Sequence, residues 1–124
     1  MKLLLVFVGG GFGSVARYAM MKIIGRLMGA GFPWHTLGVN LIGALIIGAL
    51  TAFMAMRVSG VESARLLLVT GFLGGFTTFS AFSLESALMW QKGDYMTLVA
   101  YVAASVTGTI IAVICGGATV RAIF

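Results

Sequence analysis

The chain has 124 residues, 60% of them hydrophobic and 9% charged, with a mean hydropathy of +1.12; a soluble domain carries about 25% charged residues, so this composition excludes a water-facing globule and places the chain in a bilayer. The formal net charge is +5, yet the basic residues stand singly and form no patch that could track phosphates, which excludes nucleic acid as a partner. The lone Cys115 excludes an internal disulfide and a multi-cysteine metal site.

Residues 3–16, 27–56, 66–84 and 95–120 contain no Asp, Glu, Lys or Arg. A spanning helix needs about 20 mostly apolar residues. The pattern therefore predicts an all-α integral membrane fold with four transmembrane helices, at 3–27, 34–56, 63–90 and 95–120. Short loops join them, and residues 1–124 make a single four-helix transmembrane domain.

Two other readings of the first segment fit the pattern less well. A secretory leader cleaved after Ser14-Val15-Ala16 would leave three spans, but the apolar pattern continues past Arg17 to Met28. Gly11-Phe12-Gly13-Ser14-Val15-Ala16 matches a dinucleotide-binding pattern, which requires an acidic residue about 20 positions on; the first acid is Glu62. In a membrane helix, Gly9, Gly10, Gly11 and Gly13 instead permit close approach of another helix.

Trp34 opens the second span, and Trp90 and Tyr95 flank the third loop, as an aromatic belt at one interface. Within the second span Thr36, Asn40, Ala44 and Gly48 recur every four residues on one face. Asn40 there is either a glue between helices or part of a polar path.

The third span contains Gly74-Gly75-Phe76-Thr77-Thr78-Phe79-Ser80-Ala81-Phe82-Ser83. Phe72, Phe76, Phe79 and Phe82 have the spacing of any packed helical stripe. Adjacent glycines weaken a helix, however, and the neighbouring hydroxyls can satisfy backbone groups that a break sets free. The combination predicts a break in the third helix near 74–79. In the fourth span Tyr101, Ser105 and Thr109 line one face, where Ser and Thr hydroxyls can also bond back to their own helix.

Lys2, Arg57, Arg65 and Arg121 fall toward one side of the membrane, and Arg17, Lys22, Arg26 and Lys92 toward the other. The asymmetry of Lys and Arg that sets insertion direction is missing. Copies are therefore expected to insert both ways and pair as an antiparallel, dual-topology homodimer with its two-fold axis in the membrane plane. A broken helix offers carbonyls to a cation or amides to an anion. No acid lies in a span interior, since Glu62 is in a loop, Asp94 is interfacial and Glu85 falls in the outer half of the third helix. A cation or proton-coupled pathway normally needs a central carboxylate, whereas Arg17 favours anions at a vestibule. Phenylalanine edges are weakly positive, so Phe79 and Phe82 suit a small anion such as fluoride.

Gly10-Gly11-Phe12-Gly13-Ser14-Val15-Ala16-Arg17-Tyr18, Thr36-Leu37-Gly38-Val39-Asn40-Leu41-Ile42-Gly43 and Gly71-Phe72-Leu73-Gly74-Gly75-Phe76-Thr77-Thr78-Phe79-Ser80-Ala81-Phe82 closely resemble the Fluc/CrcB family of bacterial fluoride channels. The resemblance covers essentially the whole chain. It implies a passive, fluoride-selective channel of the bacterial inner membrane, with two antiparallel pores along a homodimer interface and no catalysis. It further implies that Phe79 and Phe82 line the pores edge-on and that Asn40 donates to fluoride. Ser80, Ser83, Tyr101 and Ser105 would belong to or border the polar track, which Thr36 and Thr109 extend. Arg17 and Glu85 match vestibule positions. The backbone carbonyls of Gly74 and Thr77, from both subunits, would hold a structural sodium ion. Ala81 departs from the pattern, which generally has a hydroxyl there. The main rival, an exporter similar to the small multidrug resistance family, needs a carboxylate in its first helix, and this first helix has none. A second rival is a non-transporting assembly subunit.

Overall fold

The computed structural model describes residues 1–57 and 59–124. Helix α1 runs Lys2–Met28 and α2 runs Trp34–Ala55. The third apolar segment spans Glu62–Lys92 and the fourth, α5, runs Tyr95–Ile123, so among the described residues four segments are long and apolar enough to cross a membrane. Among the described residues there is no strand.

The third segment is not uniform. Its first half, α3 (residues 62–76), begins as α-helix at Glu62–Ala64, widens to i→i+5 bonding over Arg65–Leu73 and tightens again at Gly74–Phe76. Runs of that wide winding are rare, and short ones often mark functional sites. Helical turns stop at Phe76, Thr77 takes an extended backbone (φ −81°, ψ 158°), and α4 resumes over Ser80–Lys92. Gly93 ends α4 in the left-handed conformation (φ 74°) that glycine adopts without steric cost. Asp94 then starts α5 by accepting a hydrogen bond from the Thr97 amide.

Two helix pairs make up the fold: α1 lies along α3, and α2 lies along α5. A Cβ on Gly75 would strike the backbone of Gly10, so the glycine-rich face of α1 and Gly75 of α3 permit backbone-to-backbone contact. Gly74 and Gly75 are helical, positive φ among the described residues occurs at Gly29, Gly60 and Gly93, and the non-helical turn falls on Thr77. Gly75 serves packing.

The core is small. Leu37, Phe82 and Tyr101 form its buried cluster, with Phe32, Leu41, Met89 and Ala104 packed against it. Most large apolar side chains, including Phe7, Phe12, Ile110 and Ile114, face outward. Lipid tails solvate such surfaces as well as leucine does, so outward apolar faces carry no cost in a bilayer.

Candidate functional site

Backbone groups released at Thr77–Phe79 need new partners, because an unpaired amide or carbonyl in hydrocarbon costs several kcal/mol. Asn40 on α2 supplies them. Its Nδ2 donates to the Thr78 carbonyl at 2.8 Å, and its Oδ1 accepts from the Thr78 amide at 2.8 Å. The side chain thus replaces helical bonding with a two-point clamp. In an unbroken helix the Thr78 amide would bond the Gly74 carbonyl and the Ala81 amide would bond the Thr77 carbonyl. Here the Ala81 amide donates to Thr78 Oγ1 at 3.2 Å instead, and Arg17 Nη1 donates to the Thr77 carbonyl at 3.2 Å. The two carbonyls singled out in the sequence are those whose usual helical donors turn elsewhere.

Beside this clamp lies an open groove of about 300 Å³, lined by Asn40, Thr77, Thr78, Phe79, Phe82, Ser105 and Thr109 together with small and aliphatic side chains. Phe79 is 75% exposed on the groove, whereas Phe82 is buried. Their ring centroids lie 5.3 Å apart at 43°. Ser105 is buried and its hydroxyl has no hydrogen-bond partner. Asn40 keeps one side-chain N–H beyond the clamp, since an amide nitrogen carries two hydrogens. Gly43 borders Thr77: a Cβ there would meet Thr77 Cγ2, so the groove wall needs a glycine at this point.

Phe82 also reaches a second polar cluster, its ring centroid standing 5.1 Å from that of Tyr101. There Glu85 on α4 accepts three hydrogen bonds: Thr36 Oγ1 at 2.7 Å and His35 Nε2 at 3.1 Å on one oxygen, and the Tyr101 hydroxyl at 2.5 Å on the other. Thr36 and Tyr101 are fully buried. Glu85 belongs to the second half of the third span, as its number requires, but its carboxylate is drawn inward to these buried donors.

The remaining candidates separate. The Ser83 hydroxyl donates to the Phe79 carbonyl at 2.9 Å, and that of Thr109 to the Ser105 carbonyl at 2.6 Å, so both bond within their own helices. Ser80 Oγ pairs with Thr78 Oγ1 at 3.2 Å. Arg17, matched to a vestibule position, donates to the Thr77 carbonyl beside the clamp. Sequence reasoning passed over His35 and did not give Thr78 a place in the site. The signals were present: Thr78 sits in the hydroxyl run, and the chain's one histidine precedes Thr36.

A family model described as "CrcB-like protein, Camphor Resistance (CrcB)" matches residues 4–117. The chain is 48% identical over 119 residues to a protein of Rhizobium etli (strain CIAT 652) named fluoride-specific ion channel FluC, covering 96% of this chain and 95% of that one. It is 42% identical over 123 residues to a protein of the same name from Rhodopseudomonas palustris (strain BisB5), covering 99% of each. A Chelativorans protein, again so named, is 46% identical over 114 residues, covering 92% of this chain and 91% of that one. With four membrane-crossing helices and a family match over nearly its whole length, the chain is a multi-pass membrane protein that belongs to the CrcB family.

Proposed function

We propose that the protein is a passive fluoride channel of the bacterial inner membrane, assembled as an antiparallel, dual-topology homodimer with one pore along each side of the interface. One observation supports it above the others. The open groove beside Thr77–Phe79 combines the unpartnered Ser105 hydroxyl with the exposed ring of Phe79. A single copy leaves this path open to lipid, and a second copy against it would supply the missing wall. The balance of Lys and Arg between the two sides supports oppositely inserted copies, and the names of the relatives support fluoride as the ion.

The chemistry follows from the donors. Fluoride gives up its water only to successive hydrogen-bond donors, and the Ser105 hydroxyl and the free Asn40 N–H are two such groups. The edges of Phe79 and Phe82 add weakly positive hydrogens without a fixed cation that would trap the ion. With Asn40 tied to the Thr78 backbone, its amide is held in place before an anion arrives. A proton-coupled exporter would need a titrating carboxylate in α1, which has none.

A structural sodium ion fits the donor set. The carbonyls of Gly74 and Thr77 lack their usual helical donors, and the Thr77 oxygen keeps a second lone pair beside its Arg17 bond. Sodium, when bound, would tie carbonyls of the two copies together by charge. Arg17 holds the Thr77 carbonyl in its non-helical direction from within the subunit.

The purified chain, reconstituted alone into liposomes, should release fluoride without a pH gradient and retain chloride. Release only with a proton gradient would indicate an exchanger. No release would indicate an assembly subunit.

A further inference from the structure

His35 has no part in the conduction path described so far. It sits at the start of α2, one residue before buried Thr36, and its side chain is 35% exposed. Its Nε2 lies 3.1 Å from Glu85 Oε1, the same oxygen that accepts from Thr36. On the outer side of this pair a basin of about 240 Å³ is lined by His35, Glu85, Lys92, Asp94 and Thr97 among others. On the inner side Glu85 leads through Tyr101 to Phe82 and the groove. The histidine therefore stands where an anion in the outer basin would meet the buried polar cluster.

We propose that His35 is a proton-controlled positioning residue for anion entry. Protonated, its imidazolium pairs with Glu85 and cancels the carboxylate's charge at the mouth; neutral, it donates one hydrogen bond and leaves that charge facing the incoming anion. Segment 30–33 lines the basin without a charged group. Glu85 and Lys92 come from α4, Asp94 from the turn before α5, and Tyr101 from α5. Lys92 and Asp94 carry opposite charges, so the basin's groups sum to −1 with neutral His35 and to 0 when it is protonated. Histidine is the side chain whose charge changes between about pH 5 and pH 8. Anion entry is then favoured on the acid side and disfavoured as pH rises. Thr36 and Tyr101 keep Glu85 in place in both states.

This rests on the fluoride reading, and one experiment separates the two. Fluoride efflux is measured from liposomes at equal pH inside and out, stepped from about pH 8 to about pH 6, with protein-free vesicles subtracted for leakage of hydrogen fluoride. Flux is normalised to incorporated protein for wild type, His35→Gln and His35→Lys. Wild-type flux should rise at least about threefold toward acid, a modest part of the change in local ion concentration that charges lining a cleft can produce. His35→Gln keeps the hydrogen bond without the charge, so its flux should stay flat at the low level. His35→Lys keeps the charge without the titration and should stay flat near the high level, a rescue that a packing role would not produce. Fluoride flux with the same pH profile in wild type and His35→Gln overturns the His35 proposal alone. No fluoride flux from wild type at any pH overturns the fluoride reading and this proposal with it.

Discussion

The cluster around Glu85 and the groove beside Asn40 handle the same problem, polar groups inside a bilayer, in opposite ways. Around Glu85, donors converge on the carboxylate from α2 and α5, and the fully buried hydroxyls of Thr36 and Tyr101 both find an acceptor there. In the groove, Ser105 has a buried hydroxyl with no partner, and Phe79 is largely exposed. A satisfied cluster rigidifies the fold, whereas an unsatisfied one is costly until something occupies it. On the proposed reading, the hydrogen bonds of Thr36 and Tyr101 fix Glu85 in place, and the groove is where an ion and a second copy would sit.

The most forceful way to break this comparison is to remove the acceptor. Glu85→Ala strands two buried hydroxyls, at about 1–3 kcal/mol each, so thermal unfolding in detergent should show a loss of about 2–6 kcal/mol. An unchanged unfolding temperature would mean that the cluster is not scaffold. Next comes the ion proposed at the Gly74 and Thr77 carbonyls. Replacing sodium with a bulky organic cation should weaken the dimer by about 3 kcal/mol if the site is normally filled at a hundred times its dissociation constant. Cross-linking yield against dilution measures this, and equal yields with and without sodium would remove the ion from the account.

The rings come third. Phe79→Ile and Phe82→Ile should each lower fluoride flux per folded dimer by about five- to tenfold, since edge contacts of a ring are worth about 1 kcal/mol. The pair sharpens the contrast, because Phe82 is buried against Tyr101 and its replacement should also lower stability, while exposed Phe79 should affect flux alone. Stability loss without flux loss at both positions would make them ordinary core. The smallest effect belongs to Ala81. Adding a donor with Ala81→Thr should raise flux by a few-fold at most, on the order of 1 kcal/mol for one hydrogen bond, and equal efflux rates would show that this position is irrelevant to the path.

Much of the fold was legible because the bilayer imposes a simple rule. Charge-free stretches of sufficient length must be helices, and the predicted spans 34–56 and 95–120 differ from α2 and α5 by a few residues at their ends. The candidate site was legible in part. Asn40, Phe79, Phe82, Ser105 and Thr109 were each named from periodicity or resemblance, and they do line one groove. Their partners were not legible. Nothing in a one-dimensional pattern joins Asn40 to Thr78, or His35 to Glu85 fifty residues away, because those contacts depend on which faces α2 and α4 turn toward each other. Nor could spacing reveal that Gly75 is needed for contact with α1 while Thr77 carries the turn.

By itself, then, the sequence determined that this chain lies in a membrane, where its helices begin and end, and which polar residues must be accounted for. Water is absent from the bilayer, so composition and length suffice for those conclusions. Only the tertiary structure decided which polar groups satisfy one another and which remain free. Hydrogen bonds between helices form over a few ångströms and depend on helix rotation and depth, and local sequence constrains neither of these closely enough to choose between a clamp and an open donor.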